Sequence, residues 1–349
     1  MLVQEDIPLA PLTTLRVGGS ARFLVEAESS ADVEEAVAFA HSRNLPLFVL
    51  GGGSNLVVAD AGWPGLVLRV AIAGVEKRSG FEEGKALFEA GAGEKWDEFV
   101  AQTVGLNCAG IECLSGIPGS VGGTPVQNVG AYGQEVGDTI ASVEVFDLKD
   151  GQVRELCGEA CGFAYRSSIF NTTERGRFII LRVLYALTPG GAPHIEYADL
   201  KRYFEKRGFS PTLAETRAAV REIRSRKGML MIEGDPDCRS AGSFFKNPVV
   251  SEEQYGELAR RAAIKALVLP SYPALEKAHK VSAAWLVEHS GFTRGYRLGN
   301  VGISSKHALA IVNLGGATAA EVLTLKNQIQ QRVEQTWGIR LEPEPVFVG

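Results

Sequence analysis

The 349-residue sequence holds only five cysteines, Cys108, Cys113, Cys157, Cys161 and Cys238. Their number is odd and no two form a CxxC pair. Cys157 and Cys161 stand four apart with no second Cys or His pair at matching spacing. That pattern argues against a disulfide framework and a structural zinc, so free reduced thiols are expected. Histidine is equally sparse, with five residues and no HExxH, which argues against a catalytic zinc. Long apolar runs are missing too. The longest, residues 178–187, is broken by Arg182 and is too short to span a bilayer. The first residues carry neither a basic stretch nor an apolar core, so no signal peptide is expected and the protein is placed in the cytoplasm. A net charge of −5 and a pI near 5.7 exclude a general nucleic-acid binder. No repeat or low-complexity tract is present. The expectation is a monomer that binds small molecules, with no nucleic-acid and no membrane partner.

Glycine is abundant, with 40 residues, and it clusters. Residues 114–133 contain six glycines and two prolines but interleave Ile117, Val121, Val126, Val129 and Tyr132. Such a loop folds against something instead of lying in solvent. Glycine lets backbone approach a ligand without a Cβ in the way, and it accepts positive φ. Successive N–H groups in such turns make anion-binding concavities. A second cluster, Gly51, Gly52, Gly53, Ser54 and Asn55, follows a buried-looking strand at 45–50 and precedes the apolar run Leu56, Val57, Val58. It is neither the G-x-G-x-x-G fingerprint nor a P-loop. One cluster alone also fits a hairpin turn. Two clusters favour a large bound dinucleotide.

Chain length suggests two or three domains. Residues 30–43 read as a helix, with Val33, Ala36, Val37 and Ala40 on one face and Ser29 or Ser30 as cap. Trp96, Phe99, Val100 and Val104 mark a second helix. Residues 140–156 alternate around a Lys149–Asp150–Gly151 turn and predict a hairpin. Residues 178–187 predict a buried strand. A helix from Thr212, boxed with Glu215, ends in Arg221, Arg224, Arg226 and Lys227. That basic end either offsets the helix dipole or binds an anion. A last helix runs from a Thr318/Glu321 box to a Gly338 cap. The class that follows is mixed α/β or α+β.

Three constellations remain. Residues 165–170 place Arg166 among aromatics, which suits either a carboxylate clamp or a surface ion pair. Ser243 lies between small residues and Phe244–Phe245, as a proton donor, a nucleophile or a structural serine. No histidine in that segment can activate it, so a hydrolase triad is unsupported. The tail is apolar at Val346, Phe347 and Val348, which predicts a docked strand that holds Glu344 or Glu342 in place.

Eight segments in order resemble the UDP-N-acetylenolpyruvoylglucosamine reductase family, the flavoproteins often called MurB. They lie at residues 13–19, 51–56, 115–119, 125–133, 165–170, 242–248, 283–286 and 341–344. The resemblance implies an α+β fold: a two-subdomain FAD-binding part of the vanillyl-alcohol-oxidase (PCMH) type, followed by an α+β substrate-binding domain. The implied boundaries are 1–72 and 73–210 for the FAD subdomains, 211–337 for the substrate domain, and 338–349 for a returning segment with the catalytic Glu. Tyr197, in residues 196–200, looks like the substrate-closing Tyr loop of the longer subclass.

The implied reaction is NADPH-dependent reduction of UDP-N-acetylenolpyruvoylglucosamine to UDP-N-acetylmuramate through non-covalent FAD, in peptidoglycan precursor synthesis. Hydride passes from flavin N5 to C3, and Ser243 protonates C2. By the resemblance, the catalytic residues are Arg166, Ser243 and Glu344. Cofactor contacts fall on Gly51, Gly52, Gly53, Ser54, Asn55, Leu56, Ser115, Gly116, Ile117, Pro118, Gly119, Val121, Gly122, Gly123, Asn128, Gly130, Ala131, Tyr132 and Gly133. Substrate contacts fall on Tyr165, Tyr197, Lys227, Asn247, Lys280, Arg294 and His307. No metal is implied. A fixed guanidinium aimed at the substrate carboxylate suits charge that develops there during hydride transfer. The chain departs from the family pattern at Pro345–Val346, where Val-Arg is expected, and at His307, where some members use Gln. Two other readings are a flavin oxidase of the same fold, for which Cys113 offers covalent attachment, and a non-catalytic nucleotide-sugar sensor.

Overall fold

The computed structural model describes residues 1–79, 84–205, 210–273 and 278–349. The chain divides into two compact units. The first comprises Met1–Ile7, Ala21–Gly53 and Pro64–Arg226, and the second Pro8–Ser20, Ser54–Trp63 and Lys227–Gly349.

In the first unit, the strands Val3–Pro8, Ser20–Ala27, Trp63–Val70 and Leu47–Leu50 form a sheet in that order, the last pair parallel. Helix α1, Ser30–Ser42, starts at Ser29, whose hydroxyl accepts from the Asp32 N–H, and it buries Val33, Ala36 and Ala40. The strand expected at 45–50 begins at Leu47, and only Leu50 is fully buried. It is the outermost strand, so one side lacks a neighbour. A larger antiparallel sheet orders Gln152–Cys157, Ile140–Asp147, Phe178–Pro189, Ala86–Gly91 and Val75–Arg78. Cys108–Ala109 pairs with the end of Phe178–Pro189. The hairpin turns at Asp147–Gln152, where the buried Asp147 carboxylate takes hydrogen bonds from Arg177 and Arg154. Those bonds hold Asp147 far below the usual carboxylate range. Helix α2, Trp96–Gly105, packs Trp96, Phe99, Val100 and Val104 into this core, and Trp96 and Phe99 meet Tyr185. Helices α3, Ala198–Phe204, and α4, Leu213–Arg226, close a smaller cluster with Cys113 and Tyr132.

In the second unit, helix α5, Glu252–Ile264, α6, Ala283–Glu288, and α7, Ala319–Trp337, surround short antiparallel sheets. Helix α7 carries the Thr318/Glu321 box and the αL cap at Gly338, as the sequence predicts. Val322, Leu325, Ile329, Val333 and Trp337 fall at helical spacing and are buried. The Trp337 indole donates to Ser290.

The tail forms a strand, Val346–Val348, parallel to Leu56–Val58. Only Val348 is buried, while Val346 and Phe347 stay 38% and 39% exposed. The expected burial of all three fails: among the described residues this sheet has two strands, Val346 and Phe347 point to opposite faces, and Phe347 meets only Phe244 and the Lys326 ammonium. All five cysteines carry free thiols.

Candidate active site

The two glycine clusters meet in the first unit. A Cβ on Gly52 would stand 2.4 Å from Gly119 Cα, against backbone that cannot yield. A Cβ on Gly51 would stand 3.1 Å from Ser120 Oγ. That hydroxyl is buried and has no hydrogen-bond partner among the described residues. A cradle without side chains and an orphaned buried donor are what a dinucleotide can complete. The residues therefore fit a bound FAD.

The loop is held from behind by the protein. Gly116 donates its N–H to Asp97 Oδ1 at 2.6 Å, and its carbonyl accepts from Arg224 Nε at 3.1 Å. The N–H groups of Val121 and Gly122 go to the Glu94 and Ala92 carbonyls, and that of Gly123 goes to Ser120. Those four amides are occupied by the fold, so they are not the open anion nest expected from the sequence. Trp96 donates its backbone N–H to Gly119, and the Ser115 hydroxyl donates to Glu112. Ile117 and Pro118 stay half-exposed at the tip.

Asp97 also accepts from Arg217 at 2.5 Å and from Arg221. Burial opposes its charge, but the Arg217 and Gly116 hydrogen bonds and the two guanidinium charges outweigh it, and the Asp97 pKa is lowered. Arg226 pairs with Glu222. Three of the four basic residues at the end of α4 thus have partners within the unit: Arg221 on Asp97, Arg224 on Gly116 and Arg226 on Glu222. Asp97 is the residue that sequence reasoning missed. It reads as a first-turn acid, and nothing local shows that it faces arginines more than 100 positions away.

The second half of the loop turns through left-handed backbone at Asn128, Tyr132 and Gly133, with φ of 47°, 51° and 90°. The Asn128 amide donates to Glu135 and to the Ala164 carbonyl and accepts from Gly137. Gly130 and Ala131 pair with Glu135 and Gln134. Arg166 itself sits at φ 55°, inside an Ala164–Ser167 bridge, a conformation that costs about 1–3 kcal/mol and persists only where its surroundings hold it. Its Nη2 donates to the Gly130 carbonyl at 2.8 Å, and a Cβ on Gly130 would press on Nη1 at 3.1 Å. Tyr165 lies under the guanidinium at 5.4 Å. Tyr197 packs edge-on against Tyr132 at 5.4 Å. The Cys113 thiol is buried, donates to the His194 carbonyl, and is pushed up by that burial. It is not a poised attachment point for a flavin.

In the second unit, Ser243 Oγ lies 3.2 Å from His307 Nε2. The tail runs beside the Ser243 segment. The Glu344 N–H donates to the Phe244 carbonyl, and the Lys246 N–H donates to the Glu342 carbonyl. Asn55 Nδ2 holds the Glu344 carbonyl at 3.1 Å, and the Thr14 hydroxyl ties Ser240 at 2.6 Å and Ser54 at 3.3 Å. Leu56 opens the strand that pairs with Val346. Glu342 points out toward Lys246, with its side chain 77% exposed, whereas Glu344 is half-buried beside the Ser243 segment. Of the two acids left open in the sequence, Glu344 is the less exposed. Asn247 Oδ1 accepts the first N–H of α6, Ala283. Lys280 pairs with Val249 in a strand. Arg294 pairs with Glu288 and is 60% exposed, and Lys227 is half-buried. Arg166 belongs to the first unit, and Ser243 and Glu344 to the second.

A family model described as the C-terminal domain of UDP-N-acetylenolpyruvoylglucosamine reductase matches residues 235–348, and one described as an FAD binding domain matches residues 21–156. The UDP-N-acetylenolpyruvoylglucosamine reductase of Thermobifida fusca is 42% identical over 350 residues, covering 99% of this chain and 98% of that protein. The chain belongs to the UDP-N-acetylenolpyruvoylglucosamine reductase family. The Streptomyces coelicolor protein of that name is 42% identical over 99% of this chain and 91% of its own. The crystal structure of the Thermus caldophilus reductase matches with a TM-score of 0.67, 29% identity and 100% of both chains covered. The chain is an FAD-dependent oxidoreductase with the α+β fold of this family. Both glycine clusters of the first unit, at residues 51–53 and 114–133, fall inside the FAD-binding match. Among the described residues no helix is long and apolar enough to cross a membrane, and no cluster of three metal-ligating side chains occurs.

Proposed function

We propose that the protein reduces UDP-N-acetylenolpyruvoylglucosamine to UDP-N-acetylmuramate with NADPH as donor, in the cytoplasm and as a monomer. The observation that carries this reading is coverage: relatives named for this reductase match 99% of the chain, both matched domains included. FAD, when bound against the facing glycine segments, supplies the two-electron chemistry. The chain's residues supply position, charge and the proton. The Arg166 guanidinium stabilises negative charge as it develops on the substrate carboxylate, a contribution typically worth about 3–4 kcal/mol for one donor. Ser243 delivers its proton to C2, and as a neutral donor it does not compete for the carboxylate. Glu344 anchors the hydrogen-bond network beside it.

In this reading residues 1–72 and 73–210 are the FAD subdomains, 211–337 the substrate domain, and 338–349 the segment that brings Glu344. Tyr197 closes over substrate as in the longer subclass, and Tyr165, Lys227, Asn247, Lys280, Arg294 and His307 contact it. An anaerobic absorbance scan tests the reading. The expected result is a flavin spectrum bleached by NADPH and restored by the enolpyruvyl substrate, with the flavin released on denaturation. Bleaching without restoration by that substrate overturns it.

A further inference from the structure

Ser243 is the one hydroxyl assigned to proton delivery, and a single delivery would leave an alkoxide in a partly buried turn. The structure puts an imidazole beside it. Ser243 Oγ and His307 Nε2 are 3.2 Å apart although 64 residues separate them in sequence. The pair is held rigidly. Phe244 N–H donates to the Leu309 carbonyl at 2.8 Å, and Ser240 bridges to Val312. The turn carrying His307 folds on the buried Ser304, whose hydroxyl accepts the N–H groups of Lys306 and His307. Asp237 accepts the N–H and hydroxyl of Ser305 at 2.8 and 2.6 Å, and Lys306 pairs with Asp235. The His307 side chain is itself half-exposed, so water reaches it.

We propose that His307 is the proton relay of Ser243, a role that rests on Ser243 being the donor to C2. The Ser243 O–H bond breaks as the C2–H bond forms. The His307 Nε2–H bond breaks as the Ser243 O–H bond is restored. His307 then regains its proton from water. The net intake is one solvent proton per turnover, which matches the proton that the reduction consumes alongside the hydride. Imidazole suits this because its ordinary pKa of about 6.5 lets it hold and release protons near neutrality.

Charged or titratable groups around the pair include Lys306 on the same turn, Asp235, Asp237 and Cys238 on the segment packed against it, Lys227 next to Gly228, which packs on Ser304 and Lys306, and Glu344 beside Phe244. Burial opposes the Asp237 charge, but hydrogen bonds from Ser305 and Ser304 outweigh it and lower its pKa. The hydrogen bond to Asp235 raises Lys306, and burial raises Cys238.

The test compares wild type, His307→Gln and His307→Ala as FAD-loaded full-length enzymes, by anaerobic stopped flow at saturating enolpyruvyl substrate. Flavin reduction by NADPH is measured on the same samples as the reference half-reaction, and it is expected to change less than reoxidation in both variants. Substrate-driven reoxidation is expected to slow by about 10²-fold or more, the range of a positioned acid–base group. The wild-type decline of that rate with rising pH disappears in both variants, and added imidazole restores part of the rate to the Ala variant. Gln keeps a hydrogen-bond donor beside Ser243 but cannot carry a proton. A Gln variant with the wild-type saturating rate and pH profile, or one with only a raised KM, overturns the relay. Equal slowing of both half-reactions overturns it as well. Failure of the reductase reading looks different: the wild-type flavin itself is not reoxidised by this substrate.

Discussion

The facing glycine segments of the first unit and the Ser243 turn of the second solve opposite problems. The glycine segments work by what they omit. Gly51 and Gly52 leave out side chains so that their loop can close on Gly119 and Ser120, and the fold holds Gly116, Val121 and Gly122 of the second loop from behind through Asp97, Arg224 and the carbonyls of Glu94 and Ala92. The Ser243 turn works by what it gathers. A hydroxyl, an imidazole and an acid come from residues 243, 307 and 344, aligned by a few backbone hydrogen bonds and the isolated bridges Ser240–Val312 and Phe245–Pro343. A site made by omission shows as composition. A site made by gathering shows only after folding.

The sharpest way to separate the two regions is Ser243→Ala. FAD binding and NADPH-driven bleaching are expected to stay near normal, because neither uses the hydroxyl. Substrate-driven reoxidation is expected to fall about 10²–10⁴-fold, and Ser243→Cys to retain more activity than Ala. Stopped-flow traces for each half-reaction check this, and comparable slowing of both would remove Ser243 from proton delivery.

The converse variant is Gly52→Ala. Its Cβ meets the backbone of Gly119 and Ser120 at 2.4–2.7 Å, so the loops must separate. Overpacking of this kind costs about 1–3 kcal/mol, which corresponds to roughly 5- to 150-fold weaker FAD binding. Fluorescence titration of the apoprotein with FAD measures it. An unchanged affinity would mean that the two clusters do not form one cradle.

The smallest effect is expected from Asp97→Asn. The carboxylate keeps some solvent contact, so the loss is on the order of 1 kcal/mol. Its folded pKa lies below the ordinary aspartate value of about 3.9. The charge therefore stabilises the fold above that value, and the benefit is lost as pH falls through the folded pKa. Thermal unfolding of wild type and variant should differ at neutral pH and converge in acid. A constant difference across that range would show that packing, not charge, holds Gly116.

Helices α1, α2 and α7 and the Ile140–Cys157 hairpin were legible from sequence because their signals are local: caps, apolar spacing, a Lys-Asp-Gly turn. Burial was less legible at the outer strands. Leu47–Val49 and Val346–Phe347 are as apolar as core residues yet half-exposed or exposed, because burial depends on what stacks above a strand. The charged end of α4 was legible as charge and not as contact. Arg217 and Arg221 needed Asp97, more than 100 residues earlier, to acquire a partner.

By itself the sequence determined the backbone chemistry of the cofactor loops. A missing Cβ is a property of each glycine whatever surrounds it, and left-handed turns at residues such as Gly116, Gly119 and Gly133 need little more than glycine. Only the tertiary structure decided that Gly52 faces Gly119, that Glu344 is half-buried while Glu342 is exposed, and that His307 reaches the serine hydroxyl. Those pairings are distances between residues far apart in the chain. They are set by strand register and by turns hydrogen-bonded to one another, which no local pattern of residue types encodes.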